Sequence, residues 1–453
     1  MKTIVVGCGK IGTAVIRVLV KEGHDVIAID NNEAVLQQIS NLFDVMTLCG
    51  NGADSDVLNE AETKDADLFI ALTGVDELNM LSCFLAQRLG VKHTMARIRN
   101  PEYNDRSLRF LKHSLDLSVS LNPEMLIAQE IFNLLKFPAA INIETFSRRN
   151  FEMIELRLPA DSSLEGMTLR EMREKYNGKY LICVVQRENE TVIPGGDFVL
   201  RSGDKIGITA MPSEILKLFK TLGLFKKKAK SVIILGGGRP TYYLAKMLSN
   251  IGIPSKIIEK DLDRCAVLST LLPDSTILHG DGAEQEVLVE EGLRETDAFV
   301  ALTGMDEENI LLSILANMQN VPQVIPKINR EELIALADKL GLQTVISPIR
   351  ITTNIVLRYA RAIENSKGSN IETLYKLMDG SAEAIEFKIS PTSGTIGIPL
   401  KDLPIKKNIL IAGILRGRET IIPSGNDVIM PDDRVVVLSA DSALLDIDEI
   451  LVK

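Results

Sequence analysis

Short apolar runs alternate with amphipathic stretches through the first 137 residues of the chain. Runs such as TIVVG, DVIAID and LFIALTG have the length and the β-branched content of buried strands. Between them lie segments such as IGTAVIRVLVKEG, whose apolar residues recur with the spacing of one helix face. Strands and helices in alternation form right-handed βαβ units, so this region predicts a doubly wound parallel sheet with helices on both faces.

After about residue 138 the pattern changes to short strands with tight turns, as in KYLICVVQRE and DFVLRSGDKIGI. One or two helices accompany these strands. A region of about 85 residues with this mixture predicts a small α+β module.

The whole pattern then occurs a second time. GCGKIG at 7–12 corresponds to GGGRPT at 236–241, and ALTGVDELNM at 71–80 corresponds to ALTGMDEENI at 301–310. We therefore predict an α/β protein with two doubly wound, Rossmann-like N-lobes, each followed by a small α+β C-lobe. The lysine cluster at 226–230 and the glycine-containing segment 368–370 are predicted linkers. The predicted domains are the first N-lobe (1–137), the first C-lobe (138–225), the second N-lobe (231–365) and the second C-lobe (368–453).

A complete G-x-G-x-x-G motif follows the first predicted strand and opens a helix. Gly7 permits the tight turn, Gly9 lets the backbone approach a pyrophosphate, and Gly12 lets the helix pack close to the strand. The first turn of the helix then offers unpaired N–H groups to phosphates. A glycine turn without a ligand is the alternative interpretation. The candidate residues of this turn are Gly7, Cys8, Gly9, Lys10, Ile11 and Gly12.

Four further candidate residues lie at the ends of three predicted strands. Asp30 accepts both ribose hydroxyls and repels a 2′-phosphate, which favours NAD(H) or an adenine nucleotide over NADP(H). Thr73 and Gly74 end the fourth strand, where a hydroxyl and a close backbone approach face the ligand crevice. Arg97 either pairs with phosphate there or forms a surface ion pair.

The second copy departs from the motif. Gly236 and Gly238 are retained, but Thr241 replaces the third glycine. Arg239 lies where it can contact phosphate, and Glu259 keeps the acid at the end of the second strand. Either this site binds a nucleotide with altered affinity or it has lost its ligand. Asp281 and Thr303 are the further candidate residues of this copy.

Two predicted amphipathic helices, over 124–136 and 353–363, leave the N-lobes. Their apolar faces serve either the core of their own lobe or an interface between subunits.

Charge and composition exclude several classes of protein. The formal charge of −10 argues against a broad nucleic-acid or anionic-membrane surface, and no apolar run is long enough to span a bilayer. Five scattered cysteines and four distant histidines show no metal-ligand spacing, so no metal site is predicted. Both predicted C-lobes lack histidine, which argues against a dehydrogenase, although a tyrosine or lysine leaves an NAD-dependent oxidoreductase open as the alternative.

The motifs GCGKIG, VIAID, GNGAD, ALTGVDELNM and MARIRNPEY, each set followed by a module like IPGGDFVLRSGDKI, resemble the TrkA family of potassium-uptake regulatory proteins. The resemblance covers the full length and implies two tandem RCK units (regulator of conductance of potassium). It implies a cytoplasmic subunit, peripheral to the inner face of the cell membrane and catalytically inactive. Such a subunit forms a homo-oligomeric ring, as a dimer or tetramer, beneath a potassium channel or transporter of the Trk type.

The resemblance also implies a ligand and its contacts. The family gates its membrane partner in response to NAD(H) or ATP/ADP, and the first-copy candidates match its nucleotide contacts. Asn51 stands where many relatives have aspartate, and this segment lies on the adenine side of the site.

A DNA-binding regulator remains a third hypothesis, which the acidic charge disfavours.

Overall fold

The computed structural model of the chain describes residues 1–452 apart from 104, 137–139, 147–150, 160–161, 177, 189, 222–228, 366–370, 418, 441–443 and 445. Its sheets confirm the predicted class of two Rossmann-like lobes, each followed by an α+β module. The predicted domain boundaries stay a proposal. Of the predicted linkers at 226–230 and 368–370, residues 226–228 and 368–370 lie outside the described residues.

The first N-lobe contains a six-stranded parallel sheet in the order β3-β2-β1-β4-β5-β6. The order reverses beside β1, and a crevice therefore opens at the carboxyl ends of β1 and β4. The elements are β1 (Lys2–Val6), α1 (Lys10–Lys21), β2 (Asp25–Asp30), α2 (Glu33–Leu42), β3 (Met46–Cys49), α3 (Ser55–Glu60), β4 (Leu68–Ala71), α4 (Asp76–Arg88), β5 (His93–Arg97), α5 (Asp105–Ser114), β6 (Val119–Leu121) and α6 (Pro123–Lys136).

The first C-lobe is an antiparallel sheet in the order β10-β9-β11-β8-β7 with two helices. Antiparallel neighbours can be joined by a tight turn, as β9 and β10 are, whereas parallel neighbours need a crossover connection. The elements are β7 (Asn142–Phe146), β8 (Phe151–Arg157), α7 (Leu169–Tyr176), β9 (Tyr180–Arg187), β10 (Glu190–Val192), β11 (Lys205–Ala210) and α8 (Pro212–Thr221).

The second N-lobe repeats the parallel order as β14-β13-β12-β15-β16. A single parallel bridge between Lys327 and Ile346 stands where the first lobe has its sixth strand. The elements are β12 (Val232–Leu235), α9 (Arg239–Ser249), β13 (Ser255–Glu259), α10 (Leu262–Leu271), β14 (Thr276–His279), α11 (Gln285–Glu290), β15 (Ala298–Ala301), α12 (Asp306–Met318), β16 (Gln323–Pro326), α13 (Glu331–Lys339) and α14 (Pro348–Asn365).

The second C-lobe is again antiparallel, in the order β17-β18-β21-β19-β20. The two C-lobes pack against each other through apolar side chains. The ring of Phe146 lies 4.5 Å from that of Tyr375, centroid to centroid. The elements are β17 (Ile371–Leu377), β18 (Ala382–Lys388), β19 (Ile409–Arg416), β20 (Glu419–Ile421) and β21 (Arg434–Ser439).

The helices that leave the two N-lobes are exchanged between them. α6 packs on α9 of the second lobe, and α14 packs on α1 of the first lobe. The apolar face of α14 completes the core beneath β1 and β4, where Val356, Leu357, Ala360 and Ile363 join Val15 and other first-lobe residues. Each of the two amphipathic helices therefore contacts the partner lobe of the same chain, a packing that the sequence pattern did not predict.

Polar contacts join the two lobes at the same junctions. Asn122 donates its side-chain amide to the Tyr243 hydroxyl at 3.1 Å, and Gln323 donates to the carbonyl of Leu134 at 3.0 Å. On the other junction, a ring nitrogen of His93 lies 3.2 Å from the Tyr359 hydroxyl. The two glycine turns therefore lie next to an interface that fixes one N-lobe against the other.

Candidate functional site

The first glycine turn is built so that only glycine fits at two of its positions. Gly7 has a φ of +86°, and a Cβ there would lie 2.6 Å from the backbone nitrogen of Thr73. A Cβ at Gly12 would lie 2.0 Å from the carbonyl oxygen of Gly7, because α1 passes directly over the turn. These contacts are the physical reason for the first and third glycines of the motif.

Gly9 has the opposite environment. A Cβ at Gly9 would meet no atom within 4 Å, and its φ of −65° suits any residue. Gly9 is the N-cap of α1, and no described side chain caps this helix end. The first N–H groups of α1 therefore face open space, which is the arrangement that binds a pyrophosphate.

Asp30 lies at the carboxyl end of β2, directly beside the turn. Its Oδ2 accepts the N–H of Cys8 at 2.7 Å, and its Oδ1 accepts the N–H of Asn32 at 2.9 Å. Each carboxylate oxygen keeps a further lone pair for an incoming hydroxyl. Asn51 follows β3 on the same edge, and its side chain accepts the N–H of Ala53 at 3.0 Å.

Cys8 and Ile11 contribute only their backbone to this edge. The Cys8 side chain is buried, and burial, followed by the Asp30 charge, raises the pKa of its thiol to about 12. Ile11 packs against the core of the lobe. Lys10, by contrast, is exposed at the start of α1, where its ammonium group can reach a phosphate.

A buried asparagine that the motif analysis missed holds the other side of the crevice. Asn79 accepts the N–H and the hydroxyl of Thr73 at 2.8 and 2.7 Å, and donates to the carbonyl of Arg97 at 2.9 Å. It thereby clamps the end of β4 to the end of β5. Asn309 makes the same bonds to Thr303 and Lys327 in the second lobe. The sequence could have indicated this role, because both copies of the ALTG segment carry the asparagine.

Arg97 points into a largely buried ionic cluster. Its Nη2 lies 3.3 Å from Oε1 of Glu124, which also lies 3.8 Å from Arg99. Burial lowers the pKa of Arg97, and the Glu124 charge opposes that effect. Nε of Arg97 and Oε2 of Glu124 are both buried and have no hydrogen-bond partner among the described residues. In this arrangement the Arg97 guanidinium is held by Glu124, and its Nε is closed off from solvent.

Gly74 and Asp76 complete the carboxyl end of β4. A Cβ at Gly74 would meet nothing within 4 Å, and its carbonyl accepts a hydrogen bond from the Arg99 guanidinium. Asp76 accepts the N–H groups of Arg99 and Asn100, both at 2.8 Å. Asp76 therefore fixes the loop after β5. Its role in this structure is to hold the backbone.

The second glycine turn has the same path with different side chains. Gly236 has a φ of +92°, and Gly238 is the N-cap of α9 without a side-chain cap among the described residues. Thr241, in place of the third glycine, is buried, and its hydroxyl donates to the Gly236 carbonyl. The turn therefore accommodates threonine by a local hydrogen bond.

The second copy has Glu259 in place of Asp30 and Gly237 in place of Cys8, and the longer acid accounts in part for the glycine. Glu259 accepts the N–H of Gly237 at 2.6 Å, as Asp30 does with Cys8. A Cβ at Gly237 would lie 2.6 Å from Cδ1 of Leu268 and 2.9 Å from Oε2 of Glu259. Leu268 and the longer acid together thus occupy the space that the Cys8 side chain fills in the first copy. Asp281, which corresponds to Asn51, accepts the equivalent backbone N–H, that of Ala283, at 3.0 Å.

Side chains close to the two turns also differ. Beside the first turn, Cys8, Gly9, Lys10, Thr13 and Ala14 line a cavity of about 400 Å³ that reaches the second lobe. At the positions of Thr13 and Ala14, the second copy carries tyrosines.

The second turn is more crowded. The Tyr243 hydroxyl crosses to the first lobe and donates to the Arg99 carbonyl at 3.2 Å. Nε of Arg264 donates to the Gly237 carbonyl at 2.6 Å. The exposed Arg239 begins α9. The first turn therefore offers more open space to a ligand than the second.

Comparison with known proteins identifies the family. The TrkA-N domain matches residues 3–113 and 232–348, and the TrkA-C domain matches residues 153–223 and 384–452. The chain belongs to the TrkA family. A Trk system potassium uptake protein TrkA homolog from Archaeoglobus fulgidus is 33% identical over 450 residues, which cover 99% of this chain and 100% of the relative. The Trk system potassium uptake protein TrkA of Vibrio alginolyticus is 29% identical, covering 96% and 95% of the two chains.

Solved structures share the fold of this TrkA-family chain. The GsuK channel bound to NAD superposes with a TM-score of 0.63 at 16% identity, covering 97% of this chain and 77% of that chain. The GsuK RCK domain gives a TM-score of 0.63 at 17% identity, covering 97% and 92%. Within the part of the chain that the structure describes, no helix is long and apolar enough to cross a membrane.

Proposed function

We propose that this chain is a nucleotide-binding regulatory subunit that gates a potassium-transporting membrane protein. The first glycine turn holds the diphosphate of NAD(H) or of ATP/ADP, and Asp30 receives the ribose. The observation that carries the proposal is the open N-terminus of α1 at Gly9, next to the strand-end carboxylate of Asp30. Full-length relatives named for Trk potassium uptake, and a related fold solved with NAD, support the assignment.

The exchanged helices supply the response. Arg97 at the first crevice pairs with Glu124, and Glu124 belongs to the helix that packs on the second lobe. A phosphate that binds Arg97 competes with this ion pair and alters the contact between the lobes. Nucleotide therefore favours one arrangement of the lobes through its difference in affinity for the two, and no bond is made or broken.

The ring that gates the partner is an assembly of several copies of this chain. α4 and α12 expose apolar side chains at matching positions beside the two crevices. Val75 and Met305 are 52% and 58% exposed, and Leu81 and Leu311 are 48% and 66% exposed. Two equivalent apolar faces on one chain suit a repeating contact with further copies. The subunit acts at the inner face of the cell membrane, beneath its Trk-type partner.

The alternative, an NAD-dependent oxidoreductase, lacks support from the histidines. His24 and His93 contact α14 residues, and His279 lies 3.1 Å from the Lys260 carbonyl. We propose that the chain leaves its nucleotide chemically unchanged. Incubation with NADH should leave the nicotinamide absorbance constant, and a steady decrease would support the oxidoreductase.

Calorimetric titration with NAD, NADH, ATP and ADP tests the site. Gly9→Asp places a negative charge at the proposed pyrophosphate position, where its Cβ has room. Repulsion of several kcal/mol should weaken binding by more than about 100-fold. Gly195→Asp is the matched control, because a Cβ there also meets nothing within 4 Å. Binding by Gly9→Asp that equals the wild type would refute the site.

A transport assay then tests the response. Potassium flux through the reconstituted membrane partner should depend on nucleotide with the wild-type chain and lose that dependence with Gly9→Asp.

A further inference from the structure

A second large cavity lies where the N-lobes and the C-lobes meet, away from both glycine turns. This central cleft has a volume of about 530 Å³ and walls from α6, α13, α14, the first C-lobe and β17. Its volume is within the range of small-molecule sites, about 300–1,000 Å³. None of the candidate nucleotide residues lines it, so the glycine turns do not account for it.

The lining of the central cleft is predominantly basic. Six basic residues face four acidic ones, a formal excess of two positive charges at neutral pH. The basic residues are Lys21, Arg157, Lys205, Arg350, Arg358 and Lys376, and the acidic residues are Glu130, Glu155, Glu331 and Asp338.

Three of the four acids are already engaged by particular cations. Oε2 of Glu155 lies 3.1 Å from Nζ of Lys205, and both side chains are buried. Asp338 lies 2.9 Å from Arg157. Glu331 lies 3.8 Å from Arg17, which is outside the cleft. Among the remaining cations, Lys376 lies 3.9 Å from Glu22, which is outside the cleft.

Arg358 and Lys21 are the clearest of those remaining cations. The guanidinium of Arg358 lies 4.9 Å from the centroid of the Tyr375 ring and has no ion pair with a described residue. Lys21 ends α1, which packs on α14, and likewise has no ion pair among the described residues. Arg358 is partly buried and Lys21 is exposed. Two cations that line one concave space attract an anion more strongly than the same cations on an open surface.

We infer that the central cleft binds a small, multiply charged oxyanion, held by Arg358 and Lys21 through charge-assisted hydrogen bonds. Phosphate and carboxylate ligands share this chemistry. Because the walls come from different lobes, the occupied cleft favours the lobe arrangement in which its cations are gathered. The cleft is then a second effector site, independent of the nucleotide at the glycine turn.

The test uses inorganic pyrophosphate and citrate as separate probes. Calorimetry is done on a Gly9→Asp/Gly238→Asp chain, whose two glycine turns are closed to phosphate by charges that meet no close backbone contact. We expect this chain to bind a probe with Kd below about 1 mM. Arg358→Gln and the exposed Lys21→Gln should each weaken binding about tenfold, whereas Arg170→Gln, at an exposed C-lobe position outside the cleft, should not.

The outcomes discriminate between the ligands and between the two sites. Binding of pyrophosphate alone indicates a phosphate ligand, and binding of citrate alone a carboxylate ligand. Absence of binding for both probes, or binding that Arg358→Gln and Lys21→Gln leave unchanged, overturns the inference. Nucleotide titration of the wild type tests the glycine turn separately, so either site can fail without the other.

Discussion

Because α14 belongs to the second N-lobe but packs on the first, a substitution in α14 should destabilise the first N-lobe. Ile363 is 3% exposed and belongs to α14, yet its side chain lies in the core of the first N-lobe. Ile363→Ala removes three carbon atoms from that core and leaves a cavity. Such a substitution costs about 2–5 kcal/mol. We therefore expect the first lobe to be destabilised by a change more than 200 residues distant in sequence from its glycine turn.

Hydrogen–deuterium exchange with peptide-level mass spectrometry locates the loss. Amides of β1 and β4 that exchange when α14 undocks should do so about 30-fold to about 5,000-fold faster, since each 1.36 kcal/mol corresponds to a factor of ten. Ile251→Ala removes the same atoms from a residue that is 49% exposed in the second lobe. It should change exchange by no more than about twofold. Faster exchange confined to the second N-lobe, with β1 and β4 unchanged, would show that α14 does not support the first lobe.

The remaining predictions concern the turn and the lobe junction. Because burial raises the pKa of the Cys8 thiol to about 12, iodoacetamide at pH 8.5 should label the exposed Cys49 and spare Cys8 in native protein. Equal labelling in a mass spectrum would contradict that environment. Burial lowers the pKa of His24, so the folded chain holds it neutral and stability is lost as pH falls below about 6.5. The urea midpoint should fall between pH 7 and pH 5 by more in the wild type than in His24→Gln, and parallel curves would refute this. Asp30→Glu should cost about 1–3 kcal/mol through overpacking. Adding Cys8→Gly, which reproduces the pair of the second copy, should recover part of that loss of stability in thermal unfolding. If the stability losses of the two substitutions simply add, the two side chains do not compete for the same space.

The glycine turn shows how far local pattern reaches. A strand, a G-x-G-x-x-G motif and a helix specify a positive φ at Gly7 and the close approach of Gly12 to the Gly7 carbonyl, because both features lie within six residues. The close contact between Gly7 and the backbone of Thr73 depends on the pairing of β1 with β4. The repeat of the same spacing predicted a second turn, and the structure has it. The motif did not predict that Thr241, in place of the third glycine, donates its hydroxyl to the Gly236 carbonyl.

The sequence by itself determined the number of lobes, the order of strands and helices, and the edge of each sheet at which the candidate residues gather. These features follow from periodicity and from short-range sterics, which neighbouring residues carry. Only the tertiary structure decided that α6 and α14 exchange lobes, that Arg97 pairs with Glu124, and that Tyr243 crosses to Asn122, 121 residues away. An amphipathic helix encodes which of its faces is buried but leaves its partner unspecified, and that choice depends on the packing of the whole chain.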